Sequence, residues 1–223
     1  MAIAVFSCLL AFSVIMGVMH CLTDYSNGWK SVASKTFFVV SALLLALVSA
    51  NLASSYGALT LMISIGLALL IVSQTLQCTN AQQQTKATFF TARLIQMVAL
   101  LLFAFAGISL FSFVPWGILT GLCAGIALTF LIAILQRDKS FVQYLFIFLS
   151  VTCSLIFLFQ SFACLFLSRY TFTSILLLVG AVFLCARIVV SVFSNKDSKL
   201  GRILSDVFLA ISLICIASSI FVQ

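Results

Sequence analysis

The chain of 223 residues contains no glutamate, one proline and one histidine, and charged residues make up only 7% of it. A soluble domain of this size carries about 25% charged residues, so this composition excludes a water-facing surface. Four aspartates are the only carboxylate side chains, and we expect three of them in loops. No pair of buried carboxylates is therefore predicted to divide general acid and base chemistry. The sequences G-x-S-x-G, H-E-x-x-H and a P-loop are also absent.

Hydrophobic residues make up 64% of the chain, and the mean hydropathy is +1.33. The first apolar run begins at Met1 with no basic segment before it, so we interpret it as a span and not as a cleaved signal. A helix needs about 20 apolar residues to cross the hydrocarbon layer. The sequence therefore predicts an all-α polytopic integral membrane protein, a single domain over residues 1–223 with eight transmembrane helices. The predicted spans are 2–19, 36–53, 58–76, 94–111, 117–135, 141–167, 173–193 and 203–222.

The basic residues lie mostly on one side of this predicted topology. Ten of the eleven lysines and arginines, Arg187 included, fall on one side of the eight spans, and Arg169 alone falls on the other. By the positive-inside rule, loops 20–35, 77–93, 136–140 and 194–202 are predicted to be cytoplasmic and both termini external. The net charge of +7 then reports topology and contact with anionic lipid, so we expect no nucleic-acid partner.

Eight cysteines are scattered along the predicted spans, with no C-x-x-C and no cluster of cysteine with histidine. Cysteine in such positions behaves as a small apolar residue. We therefore expect no disulfide, no metal site and no cofactor.

Three glycines share one face of the fifth span. Gly117, Gly121 and Gly125 are spaced four residues apart, and small residues at this spacing let two helices approach closely. The pattern predicts helix packing within the chain, with a dimer face as the alternative.

Polar side chains inside spans are rare and mark functional sites by default. In this chain they gather near the predicted cytoplasmic ends. No catalytic residue is assigned, and the candidate polar pocket comprises His20, Lys35, Gln74, Arg93, Arg187 and Asp206.

Arg187 stands in an otherwise apolar run and has three interpretations. Asp206 lies on the next span at a similar depth, so the two could form an ion pair. Alternatively, the long arginine side chain extends to the membrane interface, or it takes part in the pocket.

Three stretches of the chain resemble the YhhN family of lysoplasmalogenase-like integral membrane proteins. They are HCLTDYSNGWKSVASKTFFVVSALL (20–44), YGALTLMISIGLALLIVSQTL (56–76) and VGAVFLCARIVVSVFSNKDSKLGRILSDVFLA (179–210). Lys35 and Arg202 match basic residues of the family, whereas Thr36 replaces a proline. Gln74 and Arg187 stand where the family has aspartates.

The resemblance implies an eight-span fold and hydrolysis of the vinyl-ether bond of lysoplasmalogens, a step of lipid metabolism in which an acid protonates the enol ether and water attacks the oxocarbenium ion. The two family aspartates are the natural candidates for this chemistry, and this chain lacks both. Gln74 cannot transfer a proton, and the permanent charge of Arg187 repels an oxocarbenium ion. We therefore expect a lipid-binding protein of this type, with lysophospholipid as the expected partner and with the hydrolase activity lost or altered.

Two other classes of function remain open from the sequence. A small-solute or lipid transporter would carry helices broken by glycine or proline at mid-depth, and Pro115, at a span end, is the single proline. A structural subunit of a membrane complex is compatible with the low polarity. Aldehyde release from lysoplasmalogen distinguishes the first class from these two.

Overall fold

The computed structural model describes residues 2–23, 29–53, 57–83, 86–110, 115–136, 140–167, 171–193 and 199–221. Helices make up almost all of these ranges, which contain no strand, so the all-α prediction is confirmed. In chain order the helices are α1 (Ala2–Leu22), α2 (Trp29–Ala53), α3 (Ala58–Gln83), α4 (Lys86–Leu110), α5 (Pro115–Leu135), α6 (Phe141–Leu167), α7 (Thr171–Phe193) and α8 (Lys199–Ser218).

Seven of these helices are long and apolar enough to cross a membrane, as expected for a multi-pass membrane protein. The exception is α4, whose apolar stretch, Phe90–Ala106, is shorter. Large apolar side chains such as Trp116, Phe130 and Phe141 are exposed on the outside of the bundle. Such an exterior suits contact with lipid tails.

The polar segment 77–93, predicted to be a cytoplasmic loop, is helical in its described part. Helix α3 continues to Gln83 and α4 begins at Lys86. The segment contains neither glycine nor proline, and its glutamines are good helix formers. Both helices therefore extend beyond their apolar parts. In the other predicted loops, α1 reaches Leu22 and α2 begins at Trp29, while 24–28, 137–139 and 194–198 lie outside the described residues.

Seven of the helices form a closed ring, and the remaining helix, α5, lies outside it. Consecutive helices pack together from α1 to α4 and from α5 to α8, and α8 returns to pack against both α1 and α2. The ring is completed by α4 against α6, which leaves α5 packed along α6 at the periphery. The preceding helix, α7, is thus only one of the three helices that pack against α8.

The glycine face of α5 lies directly against α6. Gly117, Gly121 and Gly125 are all buried, and a methyl group added to each would meet Gln160, Ile156 and Thr152 of α6 in turn. A methyl group added at Gly121 would lie 2.7 Å from the Ile156 Cα atom. Because the obstacle is backbone, the two helices would have to separate.

We expect Gly121→Ala to destabilise the protein by about 1–3 kcal/mol, because overpacking at this contact forces α5 away from α6. Gly57→Ala is the matched control, since no atom lies within 4 Å of a methyl group added there. Melting temperatures in detergent compare the two variants. Equal melting temperatures would show that the glycine contact is dispensable.

Candidate functional site

Helices α1, α2 and α8 meet closely through one small residue. A methyl group added at Gly17 on α1 would lie 3.4 Å from both the Phe38 ring on α2 and the Ala210 Cβ atom on α8. Residues three or four positions apart share a helix face. One turn further along the same faces stand His20, Lys35 and Asp206.

These three side chains form a buried cluster, which we call the triad. The Lys35 Nζ atom donates a hydrogen bond to Asp206 Oδ2 at 3.0 Å. His20 Nε2 lies 3.6 Å from Asp206 Oδ1, just beyond hydrogen-bond range. Lys35 and His20 are fully buried, and Asp206 is 7% exposed. The consecutive helices α1 and α2 are thereby joined to the distant α8 through one carboxylate.

The His20 ring is held without any hydrogen bond. It packs against Phe38 with the ring centroids 5.0 Å apart, and neither ring nitrogen has a hydrogen-bond partner in the described residues. Buried polar atoms in proteins are nearly always paired with protein or water. The imidazole therefore has unused donor and acceptor capacity beside Asp206.

One of the three interpretations of Arg187 paired it with Asp206 across the α7–α8 connection, but the structure gives Asp206 other partners. Its carboxylate contacts Lys35 and His20, while Arg187 on α7 is partly buried. The reason is the rotation of α8 about its own axis. Asp206 lies one turn from Ala210, which faces α1, so its side chain points to α1 and α2.

Arg93 belongs to a second polar cluster, between α3 and α4. Arg93 Nη1 and Gln77 Nε2 both donate to Gln96 Oε1, at 3.3 and 3.2 Å. Ser73 Oγ donates to the carbonyl oxygen of Ala92 at 2.8 Å. The cluster joins the polar ends of two consecutive helices, so its arrangement explains their packing.

Gln74 is buried on α3, and its Oε1 atom has no hydrogen-bond partner in the described residues. The neighbouring residue, Thr75, has its hydroxyl 3.3 Å from the Thr36 hydroxyl on α2. The six candidate residues thus divide into the triad, the Arg93 cluster, Gln74 and Arg187.

A cleft of about 120 Å³ opens between the end of α1 and the start of α8. We call the end of the bundle that carries Lys35, Lys199 and Arg202 the basic end, and the cleft opens there. Its walls combine a carboxylate, two exposed cations and apolar side chains. The lining residues are Cys21, Leu22, Thr23, Lys199, Arg202, Ile203 and Asp206.

Sequence reasoning missed the contribution of Lys199 to this cleft, and it missed Gln77 and Gln96 in the second cluster. Gln77 stands four residues after Ser73, and Gln96 three residues after Arg93. That spacing, one helical turn, was the available signal.

Comparison of the chain with models of protein families, with characterised proteins and with solved structures finds no match.

Proposed function

We propose that the chain is an eight-span membrane protein of the lysoplasmalogenase type that binds a lysophospholipid and has lost most or all vinyl-ether hydrolysis. In this proposal α4 also spans the membrane, the basic end faces the cytoplasm and both termini are external. The ion pair between Lys35 and Asp206 is the observation that carries the loss of activity.

Vinyl-ether hydrolysis needs an acid that protonates the enol ether and a negative charge that stabilises the oxocarbenium ion. Asp206 is the one aspartate in the described residues, and Lys35 already occupies its Oδ2 atom. A carboxylate in an ion pair accepts hydrogen bonds and has no proton to donate. Arg187 stands where the resemblance places a family aspartate, and its permanent positive charge disfavours an oxocarbenium ion there.

The lipid-binding part of the proposal is supported by the mixed chemistry of the cleft. Lys199 and Arg202 offer charged donors to a phosphate, and Arg202 can do so with two parallel hydrogen bonds. Leu22 and Ile203 line the same cleft and are exposed on the outside of the bundle. A single-chain lipid fits this arrangement, with its head group in the cleft and its chain along the apolar surface.

We expect the purified protein to release fatty aldehyde from lysoplasmalogen at least about 100-fold more slowly than an active lysoplasmalogenase. This follows because a positioned acid or base contributes roughly 10²–10⁴-fold to such rates. The measurement is aldehyde release by equal amounts of the two proteins in the same detergent.

The same assay on Gln74→Asp/Arg187→Asp tests the family resemblance, because this variant restores both family carboxylates. We expect its turnover to exceed that of the unmodified chain. Robust turnover by the unmodified chain that survives Asp206→Asn and His20→Ala would contradict the proposed loss of activity.

A further inference from the structure

The α1–α8 cleft carries a large excess of positive charge. Lys199 and Arg202 line it, and neither has an ion-pair partner in the described part of the chain. Behind them, the fully buried Lys35 contacts Asp206. Among the described residues, three cations therefore surround one carboxylate, and the net formal charge of this group is +2 when His20 is neutral.

The ion pair within the triad determines which head group suits this charge. The ammonium of an ethanolamine or choline head group binds to a carboxylate or to aromatic faces, and the described lining of this cleft offers Asp206 and no aromatic side chain. Its Oδ2 atom is occupied by Lys35 at 3.0 Å. A second cation beside Asp206 would be repelled by the Lys35 ammonium at close range, in surroundings that water screens poorly.

The unpartnered His20 ring is a second indication that the site is incomplete as it stands. His20 is fully buried, and its Nε2 atom faces Asp206 Oδ1 across 3.6 Å without a hydrogen bond. A small movement of the ring onto Oδ1 would add a third donor to the site. The basic side chains that line the cleft, Lys199 and Arg202, are also donors.

We infer that the cleft selects a phosphate monoester, the terminal phosphate of a single-chain lipid, over the zwitterionic head groups of other lysophospholipids. A phosphate monoester carries a charge of about −1.5 to −2 at neutral pH, which matches the excess of cations. Arg202 donates two parallel hydrogen bonds to the phosphate, and the Lys199 ammonium adds a single positive charge. The inference rests on the proposed function, because it specifies the lipid that the proposed site binds.

Binding in detergent tests it, with four probes: oleoyl lysophosphatidate, oleoyl lysophosphatidylethanolamine, glycerol phosphate and inorganic phosphate. We expect lysophosphatidate to bind at least about tenfold more tightly than the ethanolamine lipid, a difference typical of one charged hydrogen bond. Lys199→Gln/Arg202→Gln should remove this preference. Lys139→Gln, which removes a basic residue distant in sequence, should retain it. Raising the salt concentration should weaken lysophosphatidate binding, because the two cations are exposed.

The outcomes separate the two proposals. Equal binding of the two lipids, or a preference that survives Lys199→Gln/Arg202→Gln, would overturn the head-group inference and leave the lipid-binding function standing. Binding of the two free phosphates without any gain from an acyl chain would overturn the lipid-binding function and retain the phosphate site. Failure of all four probes to bind would overturn both.

Discussion

Asp206→Leu is expected to lower the free energy of unfolding by about 3–5 kcal/mol, the cost of leaving one member of a buried ion pair without its partner. Lys35 is fully buried and its Nζ atom lies 3.0 Å from the carboxylate, so the orphaned ammonium would stay in apolar surroundings. Lys35→Leu should have an effect of similar size. Thermal unfolding in detergent measures both.

The double variant Lys35→Leu/Asp206→Leu gives the sharper result. Neither charge is then orphaned, so the double variant should be more stable than the sum of the two single effects predicts. Arg202→Leu is the matched control, because it removes an exposed cation from the same end of α8 and should leave the melting temperature nearly unchanged. Strictly additive losses would show that the pair contributes no coupling.

The second prediction has an all-or-none result, which is measured by cysteine labelling of a cysteine-depleted chain in oriented membranes. Ser198→Cys should be labelled only from the cytoplasm, and Gly57→Cys only from outside, because the basic loops are predicted to stay inside. Gly57 is exposed at the start of α3. The reporter at 198 lies outside the described residues, next to the basic start of α8.

The two reporters check each other, since an inverted protein would exchange both patterns. An even number of crossings between them would label both from one side. Labelling of Ser198→Cys from outside would therefore overturn the predicted orientation.

The helices follow from local sequence, whereas the partner of Asp206 does not. Long apolar runs with few charges dictate helices because backbone polar groups in a membrane must pair within their own segment. The spacing of Gly117, Gly121 and Gly125 indicates a shared face by helical periodicity alone. These features depend on neighbours within one or two turns, so they are readable from the chain.

The triad depends on contacts between residues far apart in sequence. Lys35 and Asp206 are separated by 171 positions, and their meeting requires α8 to return against α1 and α2. Reasoning from adjacent spans favoured Arg187 because α7 and α8 are consecutive. Only the rotation of α8 about its axis distinguishes the two partners, and the length and apolar content of a span do not report that rotation.

The polar segment 77–93 shows a different limit. Hydropathy indicates where a helix leaves the membrane, which is not always where the helix ends. In α3 and α4 the described backbone continues as helix beyond that point, to Gln83 and from Lys86. Polar residues without glycine or proline can prolong a helix in water as well as end it.

The position of α5 outside the ring has a consequence for the co-translational insertion and assembly of the helices. The ring neighbour of α4 after α3 is α6, so α4 must remain unjoined on that side until two further helices have been synthesised. Helix α5 leaves the ribosome before α6 but is not part of the ring. Its glycine face becomes covered only when α6 packs against it. Insertion of α5 and α6 as one hairpin would therefore extend the ring beyond α4 in a single step, and α8 would close the ring against α1 and α2 at the end.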